Sequence, residues 1–402
     1  MERKRMTDLT TIAAETDAFY RDPNAVCPFS NGQRNPMATS IYGTEFLSYQ
    51  AVRDGFRDKR MIARNVDYFR RVGASELVLE FIREGNLNFM APDKHDRIRA
   101  IVLKAFTPAR VNGFRPQMRR IANELIDRFI DAERCDLVAD FAHVYPIAVL
   151  AEFLGISPED VPDFADATVQ LRMLGQRPIQ PGLPALEGAL TYLYSYIEGV
   201  VARRREDRQD DFVGSLIALQ EAGEKLSETE LIWAIVFLML GGHDTTRFTL
   251  AGCFHSLIEA GLWERVGRDP ALAPEAVAEG MRHSPGTPRQ MRVVDEPFER
   301  DGHRFEKDDI VSLNLCAAGR DATMFEDPHA FRLDRPKPLY DLGFGFGRHV
   351  CIGQLLARAE MAEAVEIVTA RLTDVAIDGD VRLKPSGVIA GYDAIPIRFA
   401  RR

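Results

Sequence analysis

Apolar residues recur at helical spacing through most of the chain. The longest such pattern starts at the capping box Ser227-Glu228-Thr229-Glu230 and runs to about Gly261. At ~1.5 Å per residue it predicts a helix about 50 Å long. Through Leu231 to Leu240 it is apolar nearly all round, as in a helix that crosses a protein core. Further helices are predicted over about 115–132, 138–154 and 158–173, from Leu186 to Arg204, and from Gln354 to Leu372. Tyr49 to Arg60 also reads as helical. Another helix begins at Asp93-Lys94-His95-Asp96-Arg97-Ile98-Arg99, with Asp93 as its N-cap after Pro92.

Alternating patterns are sparse. Strands are predicted at about 290–295, 303–305 and 310–315, with short edge strands between Ser40 and Tyr49. Residues 1–37 are polar and broken by prolines, which predicts an irregular arm with one short helix. A proline- and glycine-rich loop runs from Gly175 to Pro184. The fold class is therefore mainly α with a small β region. No repeat divides the chain, so 1–402 reads as one domain: the arm 1–37, a helix-rich part 92–288, a loop- and strand-rich part 289–353, and a C-terminal helix with strands over 354–402.

Composition narrows the function classes. Hydrophobic residues make up 46% and charged residues 28%, the balance of an ordinary globular protein. A formal charge of −9 argues against nucleic acid as a partner. The five cysteines (Cys27, Cys135, Cys253, Cys316, Cys351) are odd in number and widely spaced. That pattern suits a reducing compartment and free thiols. The N-terminal residues carry no apolar segment, and the run Ile232 to Leu240 is too short to span a bilayer. The expectation is a cytoplasmic protein without a membrane partner.

Two stretches carry chemistry. Phe344-Gly345-Phe346-Gly347-Arg348-His349-Val350-Cys351-Ile352-Gly353 places one cysteine in a glycine-rich turn just ahead of a helix. Glycines let the chain wrap tightly round a sulfur, and the helix N-terminus adds partial positive charge. Both favour a thiolate. In mid-helix, Gly241-Gly242-His243-Asp244-Thr245-Thr246 sets an acid–alcohol pair beside two glycines, which cost about 1 kcal/mol each against alanine there. Small residues at a helix crossing would need the same glycines. His95 and Arg99 share a helix face, which is most often a solvated one.

The decapeptide resembles the heme-binding loop of the cytochrome P450 family, Phe-Gly-x-Gly-x-His-x-Cys-x-Gly, at every fixed position. The glycine-acid-threonine segment resembles the same family's oxygen-activation segment, and the resemblance extends in order from about Tyr42 to the C-terminus. It implies heme b as cofactor, with iron ligated by Cys351 in a loop that includes Phe344, Gly345 and Gly353. It implies His95, Arg99, Arg292 and His349 as propionate anchors, and Gly241, Gly242, Asp244 and Thr245 as the oxygen and proton site. Glu279, Arg282 and Arg335 would form a structural cluster on the proximal side. Leu87, Met90, Met173, Leu174, Leu238, Thr287, Pro288, Val388 and Ile389 would line the substrate pocket.

The implied activity is oxidation of a hydrophobic small molecule with O2 and two electrons from an external ferredoxin and ferredoxin reductase. Lys104, Arg110, Arg115, Arg119, Arg120, Arg348 and Arg358 would offer the ferredoxin a basic face. A heme-thiolate sensor would need the cysteine but not Asp244 and Thr245. Coupling, dehydration or peroxide-driven chemistry on the same fold is the other alternative. The chain departs from the family at Gly319-Arg320-Asp321-Ala322 and within Glu279-Gly280-Met281-Arg282, and its N-terminal helix is not recognisable.

Overall fold

The computed structural model describes residues 9–23, 36–63, 66–175, 178–336, 342–384 and 387–402. Cys27 and part of the N-terminal arm lie outside them; within the arm a short helix, Asp17–Arg21, is present.

The central helix is capped as its sequence requires. Ser227 Oγ accepts the Glu230 N–H at 3.2 Å, and a Glu230 carboxylate oxygen accepts the Ser227 N–H at 3.0 Å. Glu230 also receives Arg97 at 2.7 Å and Lys94 at 3.1 Å from the helix Pro92–Ala105. Burial raises the Glu230 pKa, but the donors Arg97, Ser227 N–H and Lys94 pull it down to about 2. One carboxylate thus closes a helix end and pins a neighbouring helix to it.

The long helix is interrupted. It forms as Glu228–Gly242 and Asp244–Glu259, with His243 between them at ψ −77°. The two glycines weaken the ladder there, and the Thr245 hydroxyl takes the Gly241 carbonyl at 2.6 Å.

Other helix ends differ from expectation. Asp93 is not an N-cap: the helix begins at Pro92, whose missing N–H suits the first turn, and Ala91 caps it without a side-chain bond. The helix predicted from Leu186 runs Leu183–Glu206, with Pro184 again in its first turn. The pattern over 158–173 opens as a tight turn, Pro158–Asp160, before the helix Val161–Leu171.

Among the described residues, Leu137–Leu154 is long and apolar enough to cross a membrane by length and composition. In this fold it is a core element, two-thirds buried, and Tyr145 on it donates to the Glu360 carbonyl at 3.1 Å.

The main sheet runs in the order Met37–Ser40, Gly43–Phe46, Ile310–Asn314, Arg289–Val294, Met61–Ile62. Gly43–Phe46 pairs parallel to Ile310–Asn314, which pairs antiparallel to Arg289–Val294 with Arg292 opposite Val311. Two smaller sheets near the C-terminus include the hairpin Arg382–Lys384 with Gly391–Ala394.

Glu279 ties the helix Ala273–His283 to the segment that precedes the cysteine loop. Its carboxylate receives Arg282 at 2.6 and 2.8 Å, Arg335 at 2.8 Å and the Arg332 N–H at 2.9 Å. Both guanidinium groups also hold backbone carbonyls, Arg282 those of Gly319, Pro328 and Ala330, Arg335 those of Glu326, Asp327 and Ala330. Removing the acid would leave two arginines facing each other out of water. Glu279→Ala should therefore lower unfolding free energy by about 3–5 kcal/mol, read from urea denaturation of the holoprotein. A midpoint shift below about 1 kcal/mol would mean that the carbonyls alone hold the arginines.

Candidate active site

A cavity of about 380 Å³ lies between the interrupted helix and the cysteine loop. The start of the helix Pro92–Ala105, the strand Arg289–Val294 and the turn at 387–389 complete its wall.

The loop is folded around Cys351. Gly345 and Gly347 adopt φ +73° and +75°, which a side chain would resist. The Cys351 N–H donates to the Phe344 carbonyl at 2.8 Å, and the Arg358 guanidinium lies 4.6 Å above the Phe344 ring. The sulfur faces the cavity. Burial raises its pKa, while the Gly353 N–H, Arg99 and Arg358 lower it. The helix Gln354–Arg371 begins just beyond, with its N-terminus toward the loop.

Cationic and imidazole donors gather on one side of the same cavity. His95, Arg99, Arg292 and His349 all line it. His95 gives Nδ1–H to Asp96 at 2.8 Å, but among the described residues its buried Nε2 has no hydrogen-bond partner, nor does His349 Nδ1. The two imidazoles lie 4.5 Å apart, centre to centre. Burial, together with His95 and the arginines nearby, pushes His349 down to about 3. Arg292 is buried, hydrogen-bonds only the Met291 carbonyl, and is brought down to about 10 by burial alone. Among the described residues only His95 of these four has an acid hydrogen-bonded to it, and its Nε2 is still open; such a set matches a group that brings carboxylates.

The opposite wall has room for a flat group. Gly241 is exposed to the cavity in mid-helix, and a Cβ built there meets nothing within 4 Å; the same holds for Gly353 in the loop. Gly242 differs, since a Cβ would stand 2.9 Å from Leu150, so close packing requires that glycine. Together these features fit a heme between Cys351 and Gly241, with its propionates on the donor cluster.

Thr245 lines the cavity beside Gly241, whereas Asp244 lies outside the lining, buried on the far side of the helix. Sequence reasoning missed Glu360. This buried acid also lines the cavity, as Thr246 does, and burial pushes its pKa well up. A glutamate within a helix gives no sequence sign of lacking a counter-charge.

Of the residues expected in the pocket, Leu87, Leu174, Leu238, Thr287, Val388 and Ile389 line it. Met90 is instead in the core, Met173 packs near Gly182, and the Pro288 carbonyl accepts the Leu315 N–H. Phe89, within the expected stretch Leu87 to Met90, also lines it, and Phe237 and Phe248, which were not foreseen, add aromatic wall.

The expected basic face is compensated by internal ion pairs. Lys104 pairs with Glu224, Arg110 with Asp210, Arg115 and Arg119 with Glu363, Arg120 with Glu124, and Arg348 with Asp96. Except for Glu124, one helical turn from Arg120, the partners come from distant parts of the chain, so spacing alone could not show them.

A sequence model of the family described as Cytochrome P450 matches residues 271–370. Over 317 residues the chain is 33% identical to cytochrome P450 107B1 of Saccharopolyspora erythraea, covering 78% of this chain and 76% of that one. It is 31% identical to a steroid C26-monooxygenase of Mycobacterium tuberculosis, covering 75% and 82%. The structure of cytochrome P450 CYP109Q5 from Chondromyces apiculatus superposes with a TM-score of 0.86 at 24% identity, over 98% of this chain and 99% of that one.

A charge-assisted hydrogen bond contributes about 1.5–3 kcal/mol, so Arg292→Leu should speed loss of heme to excess apomyoglobin about tenfold or more. Wild-type retention would remove Arg292 from the anchoring set.

Proposed function

This chain belongs to the cytochrome P450 family, and we propose that it hydroxylates, or otherwise oxidises, a hydrophobic small molecule using electrons from a ferredoxin system. The family assignment makes it a heme-thiolate monooxygenase with heme b as cofactor, the iron ligated by the thiolate of Cys351. One observation supports the finer reading best. A half-buried sulfur faces a glycine gap and a threonine hydroxyl across one largely apolar cavity.

When bound, heme supplies the activation of O2 by one-electron steps. The chain's own residues do the rest. The Gly353 N–H, Arg99 and Arg358 stabilise negative charge on the sulfur. His95, Arg99, Arg292 and His349 orient the cofactor through its carboxylates. Leu87, Phe89, Phe237, Leu238, Val388 and Ile389 exclude water and hold an apolar substrate. Thr245 releases its hydroxyl from the Gly241 carbonyl to hold a water in the gap, and Asp244 turns inward to supply that water with a proton. The steroid named for one relative agrees with an apolar substrate.

Reducing equivalents come from outside. The proposed donor is a ferredoxin with its reductase, meeting a face whose arginines are already paired. Attraction between net charges is then small, and docking should depend only modestly on salt.

Thr245→Ala should leave the thiolate spectrum of the reduced carbon monoxide complex intact and raise the fraction of electrons released as hydrogen peroxide about severalfold. The measurement is peroxide formed per NADPH oxidised with surrogate plant ferredoxin. A peroxide yield equal to that of the wild type would refute the role given to Thr245.

A further inference from the structure

On the side of the central helix away from the cavity, Asp244 belongs to a second polar cluster. Arg247, one turn on, stands with Nε 3.6 Å from Asp244 Oδ1. Its Nη2 is 3.6 Å from Asp393 Oδ1, on the strand Gly391–Ala394 of the C-terminal hairpin. Its Nη1 donates to His143 Nδ1 at 2.8 Å, and the guanidinium lies 4.1 Å above the Phe248 ring. Among the described residues Nε and Nη2 have no hydrogen-bond partner, and neither has Asp244 Oδ1. The side chains of Asp244 and Arg247 are 6% and 7% exposed, but that of Asp393 is 40% exposed. The cluster therefore leads from a buried acid to solvent through one cation.

At 3.6 Å neither carboxylate is hydrogen-bonded to the arginine, so a small movement favours either one. His143 must be neutral to accept from Arg247, and burial and Arg247 both lower its pKa. His243 donates Nε2–H to the His143 carbonyl at 3.1 Å and is itself held down to about 4 by burial. Arg172 and Asp166 are the other charges acting on the cluster. Arg247 is thus fixed on one edge and unattached on the two that face the acids.

We propose that Asp393 and Arg247 form the outer arm of the path that supplies protons to Asp244. Arg247 is a positioning residue in this arm. When it sides with Asp393, the Asp244 carboxylate takes a proton from water entering past the hairpin. Asp244 then passes that proton to water beside Thr245, and the resulting carboxylate is held again by Arg247. The arginine keeps its own protons throughout. The inference rests on the reading of Asp244 as the proton-supplying acid.

The test is substrate-free NADPH oxidation by the holoenzyme in H2O and in D2O, with plant ferredoxin and ferredoxin reductase in rate-saturating excess. Asp244→Asn should slow it about a hundredfold. Asp393→Asn should slow it about three- to tenfold and enlarge the solvent isotope effect, and Asp393→Glu should restore both. Asp393→Asn at the wild-type rate, with Asp244→Asn slow, overturns the outer arm alone. A slow Asp393→Asn with an unchanged isotope effect also overturns it, since that marks a structural loss. An unaffected Asp244→Asn overturns the reading of Asp244 and this inference with it.

Discussion

A sulfur anion enclosed in protein is stable only if positive charge reaches it from every available direction. That requirement organises this molecule. Burial raises the pKa of the Cys351 thiol, and the opposing set is spread over three parts of the chain: the Gly353 N–H, Arg99 from an early helix, and Arg358 from the helix that follows the loop. Gly345 and Gly347 bend the loop so that these groups converge. Glu279 then secures the segment ahead of the loop through Arg335 and the Arg332 N–H. Each group would be a modest surface feature by itself; joined, they define one reactive atom.

The central helix meets the complementary demand, which is space. Gly241 leaves open the position where a side chain would enter the cavity, and Gly242 lets Leu150 approach closely. The ladder breaks at His243, and the break frees the Gly241 carbonyl for the Thr245 hydroxyl. Weak helix propensity and close packing thus act on adjacent residues for different reasons.

What could be read from the sequence was local. The cysteine loop, the capping box at Ser227 and the glycine-acid-threonine segment are contiguous, so each short stretch contains its own geometry. Most of the failures involve partners far apart in the chain. Arg119 seemed available until Glu363 met it from a helix more than two hundred residues away, and Arg247 meets Asp393 from well over a hundred residues away. Glu360 went unnoticed because its significance is the absence of a cation, which only the fold can reveal. Asp93 failed for a local reason, since Pro92 serves the first turn better than an aspartate there caps it.

The distribution of paired charge separates scaffold from site. Desolvation predicts that exposed arginines can stand alone while buried ones need acids. Glu279 obeys that rule with Arg282 and Arg335, but at the cavity wall the order is reversed. Arg115, Arg119 and Arg120, which are well exposed, each hold a carboxylate, whereas Arg292 is buried with only a neighbouring carbonyl. The imidazoles of His95 and His349 repeat the pattern at unpartnered nitrogens. A fold that left cations buried without compensation on one wall only would be destabilised by them. The carboxylates of a heme supply that compensation, so binding the cofactor and stabilising the fold are one process: mutations of the donor wall should act on both together.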